Sequence, residues 1–147
     1  MTNNVKSVPD GYHTVTPYLV VEGVPKLIDF LKAAFDAVET ESVPGPDGKI
    51  GHAEVRIGDS VVMMGEASGE GKLMPAMIYL YVSDADASYK RALDAGATSL
   101  MEPADQFYGD RNAGVKDPCG NQWWVATRKE NVSPEELRRR AEARAKG

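Results

Sequence analysis

The 147-residue chain contains one cysteine, Cys119, and two histidines, His13 and His52. A lone cysteine excludes an internal disulfide and any zinc site built on several thiolates. No apolar run approaches the ~18 residues that a membrane-spanning helix needs. The start, Met1 to Asp10, is polar, unlike a charged-then-apolar secretory leader, so a cytoplasmic location is expected. Positive charge is also short. The net charge of -5 does not favour nucleic acid, and the basic excess is confined to the tail. From Arg128 onward seven basic residues face four acidic ones, against ten and eighteen before it. The run Arg138-Arg139-Arg140 shares its segment with Glu135, Glu136 and Glu142. Three- and four-residue spacing lets Glu135 reach Arg138 or Arg139 and lets Glu136 reach Arg140. With no aromatic interleaved for base stacking, the tail reads as a solvated helix.

What remains is ordinary globular material, 42% hydrophobic and 27% charged, long enough for one domain with a real core. Thr16 to Val21 is β-branched and aromatic and suits a strand. Val24, Leu27, Ile28, Leu31 and Phe35 then recur at helical spacing as one apolar stripe. Residues 38 to 44 read as a strand closed by Pro44-Gly45-Pro46-Asp47-Gly48. Ala53, Val55 and Ile57 alternate with His52, Glu54 and Arg56, which is strand periodicity. Gly58-Asp59 turns the chain into a strand from Ser60 to Gly65. Glu66 to Pro75 reads as an exposed connector.

The same order then returns. Met77 to Val82 is a strand, and Ser83-Asp84-Ala85-Asp86 offers an N-cap with an acid three residues on, starting a helix that ends at Gly96. Ser99 to Glu102, Asn112 to Lys116 and Gln122 to Thr127 are strands. Ser133-Pro134-Glu135-Glu136 opens a charged helix reaching about Ala145. Tyr18-Leu19-Val20-Val21 aligns with Tyr79-Leu80-Tyr81-Val82, and Gly58 to Val62 aligns with Gly120 to Trp124, at offsets of 61 and 62. Two near-equal offsets at opposite ends of a unit indicate duplication.

Two such modules resemble the vicinal oxygen chelate superfamily, which includes glyoxalase I, bleomycin-resistance proteins and extradiol dioxygenases. The residues that carry the resemblance are Asp117-Pro118-Cys119-Gly120-Asn121-Gln122-Trp123-Trp124, Tyr108-Gly109-Asp110-Arg111 and His52-Ala53-Glu54. Within the superfamily they look most like the PhnB-like, glyoxalase/bleomycin-resistance-like branch. The resemblance implies an α+β fold of two βαβββ modules forming a curved mixed-sheet cup, with helices on the convex side. It places one domain over residues 14–130, with modules at about 14–65 and 76–128, and leaves 131–147 as the charged C-terminal helix. It also implies a homodimer, with the site where modules pair. Metal-binding members take His or Glu ligands from the first and last strands of each module. Those positions fall here at Thr16, Val62, Met77 and Trp124, which supply no suitable set of donors. No metal and no cofactor are therefore expected.

Other residues can carry chemistry. His52 and Glu54 point to one face of a strand and suit a general acid/base pair or a two-ligand metal site; alternatively, His52 is simply hydrogen-bonded and Glu54 pairs with Arg56. Tyr18, Tyr79, Tyr81 and Trp124 fall opposite the helices, while Leu19, Leu80, Val82 and Trp123 face them. An aromatic-lined cup suits a flat or apolar guest, although such aromatics also close sheets or cover subunit interfaces. Arg111 can clamp an anion or pair with Asp110. His13 lies near the polar terminus. Met63, Met64 and Met77 serve as pocket lining or core filler, and Cys119 lacks an adjacent base.

The leading expectation is a metal-free protein that binds a small aromatic or anionic molecule, resembling bleomycin-resistance-type sequestering proteins. Its ligand residues are Tyr18, Glu54, Tyr79, Tyr81, Arg111 and Trp124. A glyoxalase/dioxygenase-like lyase, isomerase or oxygenase using His52 and Glu54 at a non-standard metal site is the first alternative. A structural or regulatory interaction module is the second. Neither nucleic acid nor membrane is expected as a partner.

Overall fold

The apolar stripes and alternations resolve into eight strands and three helices in the computed structural model, which describes residues 5–67 and 73–146. The first module runs β1 (Tyr18–Val21), α1 (Val24–Phe35), β2 (Val38–Pro44), β3 (Ile50–Ile57) and β4 (Ser60–Glu66). The second repeats it as β5 (Met77–Tyr81), α2 (Ala85–Asp94), β6 (Thr98–Asp105), β7 (Asp110–Lys116) and β8 (Gln122–Arg128), followed by α3 (Pro134–Lys146). Each module forms one mixed sheet, ordered β1-β4-β3-β2 or β5-β8-β7-β6, with only the first and last strands parallel. The fold is α+β, as expected.

Alternation sorts the side chains. Leu19, Ala53, Val55, Trp123 and Val125 are fully buried beneath the helices, and α1 adds Val24, Leu27 and Leu31. Each of these valine and leucine side chains contributes roughly 1.5–3 kcal/mol by leaving water. Leu80 and Val82 pack against this core while remaining partly exposed. α1 lies on β3 and β4, α2 lies on β6 to β8, and the helices pack on each other. Phe35 meets Trp123 at 5.5 Å between ring centroids. Asp36, the left-handed C-cap of α1, is gripped by Arg91 of α2 through two bonds of 2.6 and 3.0 Å. One continuous core thus lies on the helix side of both sheets.

Strand pairing fixes a register that the residue alignment had placed one step away. Tyr18 pairs with Met63 and Tyr79 with Trp124, so β4 and β8 correspond at an offset of 61 throughout. The offset of 62 had set Val62 against Trp124. Val62 is instead core, 2% exposed, and Met63 holds the open-face position. The extra residue is absorbed by the turns: the first module uses the short Gly58-Asp59 turn, with Gly58 at φ 59°, and the second uses the longer Asp117 to Asn121 loop.

Helix ends differ from the local signals in two places. Asp84 caps α2 by accepting the Ala87 N–H at 3.1 Å, so the cap lies one residue beyond Ser83. α1 has no local cap, and Glu66 at the end of β4 accepts the Gly23 and Val24 N–H groups at 2.8 and 3.0 Å. The equivalent residue in the second module, Thr127, accepts the Ala85 N–H at 2.9 Å. The expected connector therefore begins after Glu66; residues 68–72 lie outside the described residues, and Met74 bridges to Val20 of β1.

Candidate functional site

The face of each sheet opposite its helix carries a polar network with an aromatic surround. On the first sheet, Tyr18 of β1 and the alternating residues His52 and Glu54 of β3 come together. The Tyr18 hydroxyl lies 3.2 Å from His52 Nδ1, and His52 Nε2 lies 2.9 Å from Glu54 Oε2. A carboxylate only accepts, so Nε2 carries the proton and Nδ1 accepts from the phenol. Glu54 is 5% exposed, and its other oxygen, Oε1, is buried without a hydrogen-bond partner. The expected pairing of Glu54 with Arg56 is replaced by this contact to His52.

On the second sheet, Tyr79 and Tyr81 of β5 both donate to Asp110 Oδ2, at 2.8 and 2.9 Å. Asp110 is 3% exposed; Arg128 Nε approaches its Oδ1 at 3.2 Å but off the N–H direction, leaving that oxygen without a hydrogen bond. Asn112 donates to Tyr79 and to Tyr108, at 3.0 and 2.8 Å, and accepts from Gln106. Burial, reinforced by Asp110, holds the Tyr79 phenol well above its ordinary pKa. Trp124 of β8 lies against Gly114, where a Cβ would meet the indole at 2.7 Å.

The two networks are related by the duplication. His52 pairs across the sheet with Gly65, and Asn112 with Ala126, so His52 and Asn112 are equivalent and each hydrogen-bonds its module's equivalent tyrosine. Glu54 corresponds to Gly114, whose vacant side-chain space is filled by the Trp124 indole. Asn112 and Asp110 were not singled out by spacing. Aligning β7 with β3 by alternation would have exposed them, because Asp110, Asn112 and Gly114 share one strand face.

Other candidates sit elsewhere. Arg111 is held by Asp86 through bonds of 2.7 and 3.0 Å and by Asp105 at 3.2 Å; these bonds, rather than one to Asp110, raise its pKa. The same bond to Arg111 holds the Asp86 carboxyl below its usual value. His13 bonds to the Asp59 carbonyl at the surface. Cys119 points its thiol at the Glu22 and Gly23 carbonyls of the other module, and burial pushes its pKa up, which suits contact better than nucleophilic attack. In α3, Glu136 takes both Arg139 and Arg140, and Arg140 also reaches Glu130 and the Phe107 carbonyl. No Glu135 contact to arginine is among these bonds. A groove of about 780 Å³ between the modules borders Tyr79 and Tyr81 alongside Phe35, Arg56 and Arg91, and does not reach His52 or Glu54.

The superfamily's metal does not fit this donor set. The open-face positions on the first and last strands hold Tyr18 and Met63, then Met77, Tyr79 and Trp124, which offer phenols, thioethers and an indole. Among the described residues no three His, Cys, Asp or Glu side chains cluster to hold an ion.

The geometry defines a duplicated βαβββ protein whose two open sheet faces carry hydrogen-bonded tyrosines. Its sequence matches the family model described as Glyoxalase/Bleomycin resistance protein/Dioxygenase superfamily over residues 12–125, and the chain belongs to that superfamily. Uncharacterized protein Rv0887c of Mycobacterium tuberculosis is 41% identical over 134 residues, covering 84% of this chain and 79% of that one. Among solved structures, TioX from Micromonospora sp. ML1 aligns with a TM-score of 0.68 at 24% identity, covering 79% of this chain and 98% of that chain. A superfamily member from Sphaerobacter thermophilus aligns at 0.65 and 20% identity, over 78% of this chain and 96% of that one. At these identities the structural likeness is one of fold. No helix among the described residues is long and apolar enough to cross a membrane.

Proposed function

We propose that this protein binds a small planar organic molecule without a metal, in a cup made by the first module of one copy and the second module of another. The observation that carries this reading is the state of the two open faces. Tyr18, Tyr79, Tyr81 and Met77 are 47, 39, 61 and 65% exposed on them, although each is a side chain that gains by burial. Within the chain the modules already meet through α1 and α2, and the two sheets are not hydrogen-bonded to each other. A second copy would cover both faces symmetrically and leave a cavity lined by Tyr18, His52, Tyr79, Tyr81 and Trp124. Arg111 is committed to Asp86 and Asp105 and has no part in this cup. Function here is affinity rather than turnover, as in sequestering proteins, and a cytoplasmic setting suits it.

The test is thermal unfolding of chelator-treated protein with planar aromatic compounds and, separately, with divalent ions. A ligand at a hundred times its dissociation constant adds about 2.7 kcal/mol, or roughly 5 to 11 °C for a chain of this size. The expected result is stabilisation by an aromatic compound, reduced in Trp124→Ala. Stabilisation by a metal instead, lost on replacing His52 or Glu54, would overturn the reading in favour of a metal enzyme.

A further inference from the structure

The two modules carry the same tyrosine in different protonic settings, and the difference points to a ligand class. In the second module Tyr79 is closed on both sides: it accepts from Asn112 and donates to buried Asp110. Its proton has no exit. In the first module Tyr18 donates to His52 Nδ1 and accepts from no group among the described hydrogen bonds. Its oxygen faces an open surface while its proton sits against a basic nitrogen. Behind that nitrogen, Nε2–H is anchored at 2.9 Å on Glu54 Oε2, which fixes the tautomer that leaves Nδ1 free to accept.

We infer that the Tyr18–His52–Glu54 chain is a proton acceptor for the bound molecule, and that the cup takes a weakly acidic O–H compound, a phenol or an enol, as its anion. This rests on the binding reading above. The ligand O–H passes its proton to the Tyr18 oxygen as the Tyr18 proton moves to His52 Nδ1. The products are the ligand anion, a neutral Tyr18 that now donates to it, and an imidazolium paired with Glu54. No proton or electron is left over. The step needs no metal and no co-reactant, and it places the charge at the one end of the cup where a histidine and an acid stand together.

The charged groups around His52 are few. On its own strand they are Glu54 and Arg56, and on β2 Glu41 stands opposite Glu54 while Val43 stands opposite His52. β4 presents Met63 and Gly65, and β1 presents Tyr18. In the paired cup the second module contributes Tyr79 and Tyr81, whose protons are already committed to Asp110. Exposed Arg56 adds positive charge on the same face and favours an anion.

The probe is 4-nitrophenol, whose anion is yellow and whose neutral form is not, with 4-nitroanisole as a comparator that has no proton to give. Binding is measured by equilibrium dialysis at a pH above the ~6.5 of a free imidazole and below the probe's own pKa, and the spectrum of the bound probe is recorded. The expected result is a yellow bound probe in the native protein. His52→Asn, which copies the second module's own arrangement, and Glu54→Gln should both cut the bound anion about tenfold more than they weaken nitroanisole binding. Tyr18→Phe should do the same by removing the bridge.

If nitrophenol binds but stays colourless, the inference is overturned and the binding cup stands. The same conclusion follows if nitroanisole binds and nitrophenol does not. If neither compound binds, both readings fail together. A yellow bound probe that persists in His52→Asn would place the proton elsewhere and also overturn the inference.

Discussion

Gly114 decides where Trp124 sits. With no side chain on β7 at that point, the indole lies flat against the backbone, and an added Cβ would meet three ring carbons at 2.7 to 2.8 Å. Gly114→Ala should therefore push the indole off the sheet, at a cost of about 1–3 kcal/mol, and change its fluorescence. An unchanged emission spectrum with full stability would show that the indole packs differently. Gly65 is the matching position under Tyr18, where an added Cβ would meet the phenol oxygen at 2.7 Å. Here the obstructing atom is the far end of a rotatable side chain. Gly65→Ala should swing Tyr18 away from His52 with little loss of stability, and the bound nitrophenol should lose its colour. The faces of Tyr18, His52, Glu54, Tyr79, Tyr81 and Trp124 were legible in the sequence because alternation along a strand is a backbone property. The contacts between them were not, because Tyr18 and His52 are 34 residues apart and Tyr79 and Asp110 are 31 apart. Local patterns carry no information about such partners.

At the scale of elements, the Asp117 to Asn121 loop shows why a short motif can mark a fold. Asp117 is 4% exposed and accepts four hydrogen bonds: from the Cys119 and Asn121 backbone, the Asn121 amide and the Trp123 indole. Asn121, fully buried, accepts the Ala76 N–H and so ties the loop to the start of β5. Asp117→Ala would strand those donors in the core and should cost about 3 kcal/mol or more, measured by denaturant unfolding. A loss below 1 kcal/mol, about the value of a single net hydrogen bond, would mean that water replaces the carboxylate. Helix caps show the opposite case. Ser133 caps α3 where the sequence placed a cap, accepting the Glu136 N–H, whereas Glu66 caps α1 from 43 residues away. The first was legible and the second was not, for the same reason of chain distance.

α3 also carries a pH dependence. Hydrogen bonds from Arg139, and then from Arg140, hold the Glu136 carboxyl down to about 2, against an ordinary 4.5. A depressed folded-state pKa gives a contribution that is complete above the ordinary value and is lost as the pH falls toward 2. The Glu136 side chain keeps 31% of its surface in contact with solvent, which screens these pairs, so the effect is one of local docking rather than of global stability. Amide exchange in α3 should accelerate as the pH drops through that window, after correction for intrinsic rates. Glu136→Gln should abolish the acceleration, and a flat profile in the native protein would argue against the ion pairs.

For the whole molecule, the open question is which two modules share a cup. The periodicities gave two units of the same kind; how those units pair depends on surfaces distant in sequence. Helix packing uses one side of each module, and the exposed tyrosines remain on the other. If pairing crosses between copies, each site combines His52 of one chain with Trp124 of the other, which makes a complementation test decisive. His52→Asn and Trp124→Ala homodimers should each lack the yellow, tightly bound nitrophenol, because every site carries one defect. Unfolding the two together and refolding them should produce mixed dimers in which one site holds both substitutions and the other holds neither. With random exchange about a quarter of all sites would regain native behaviour, a value that follows from two-fold symmetry. If the modules of one chain pair with each other, every site in every dimer keeps a single defect and nothing is regained. Sedimentation of the same samples adds a check, because a monomer that binds the probe at full affinity would exclude the crossed arrangement. The crossed pairing predicts instead that dilution below the dimer's dissociation constant abolishes binding and colour together.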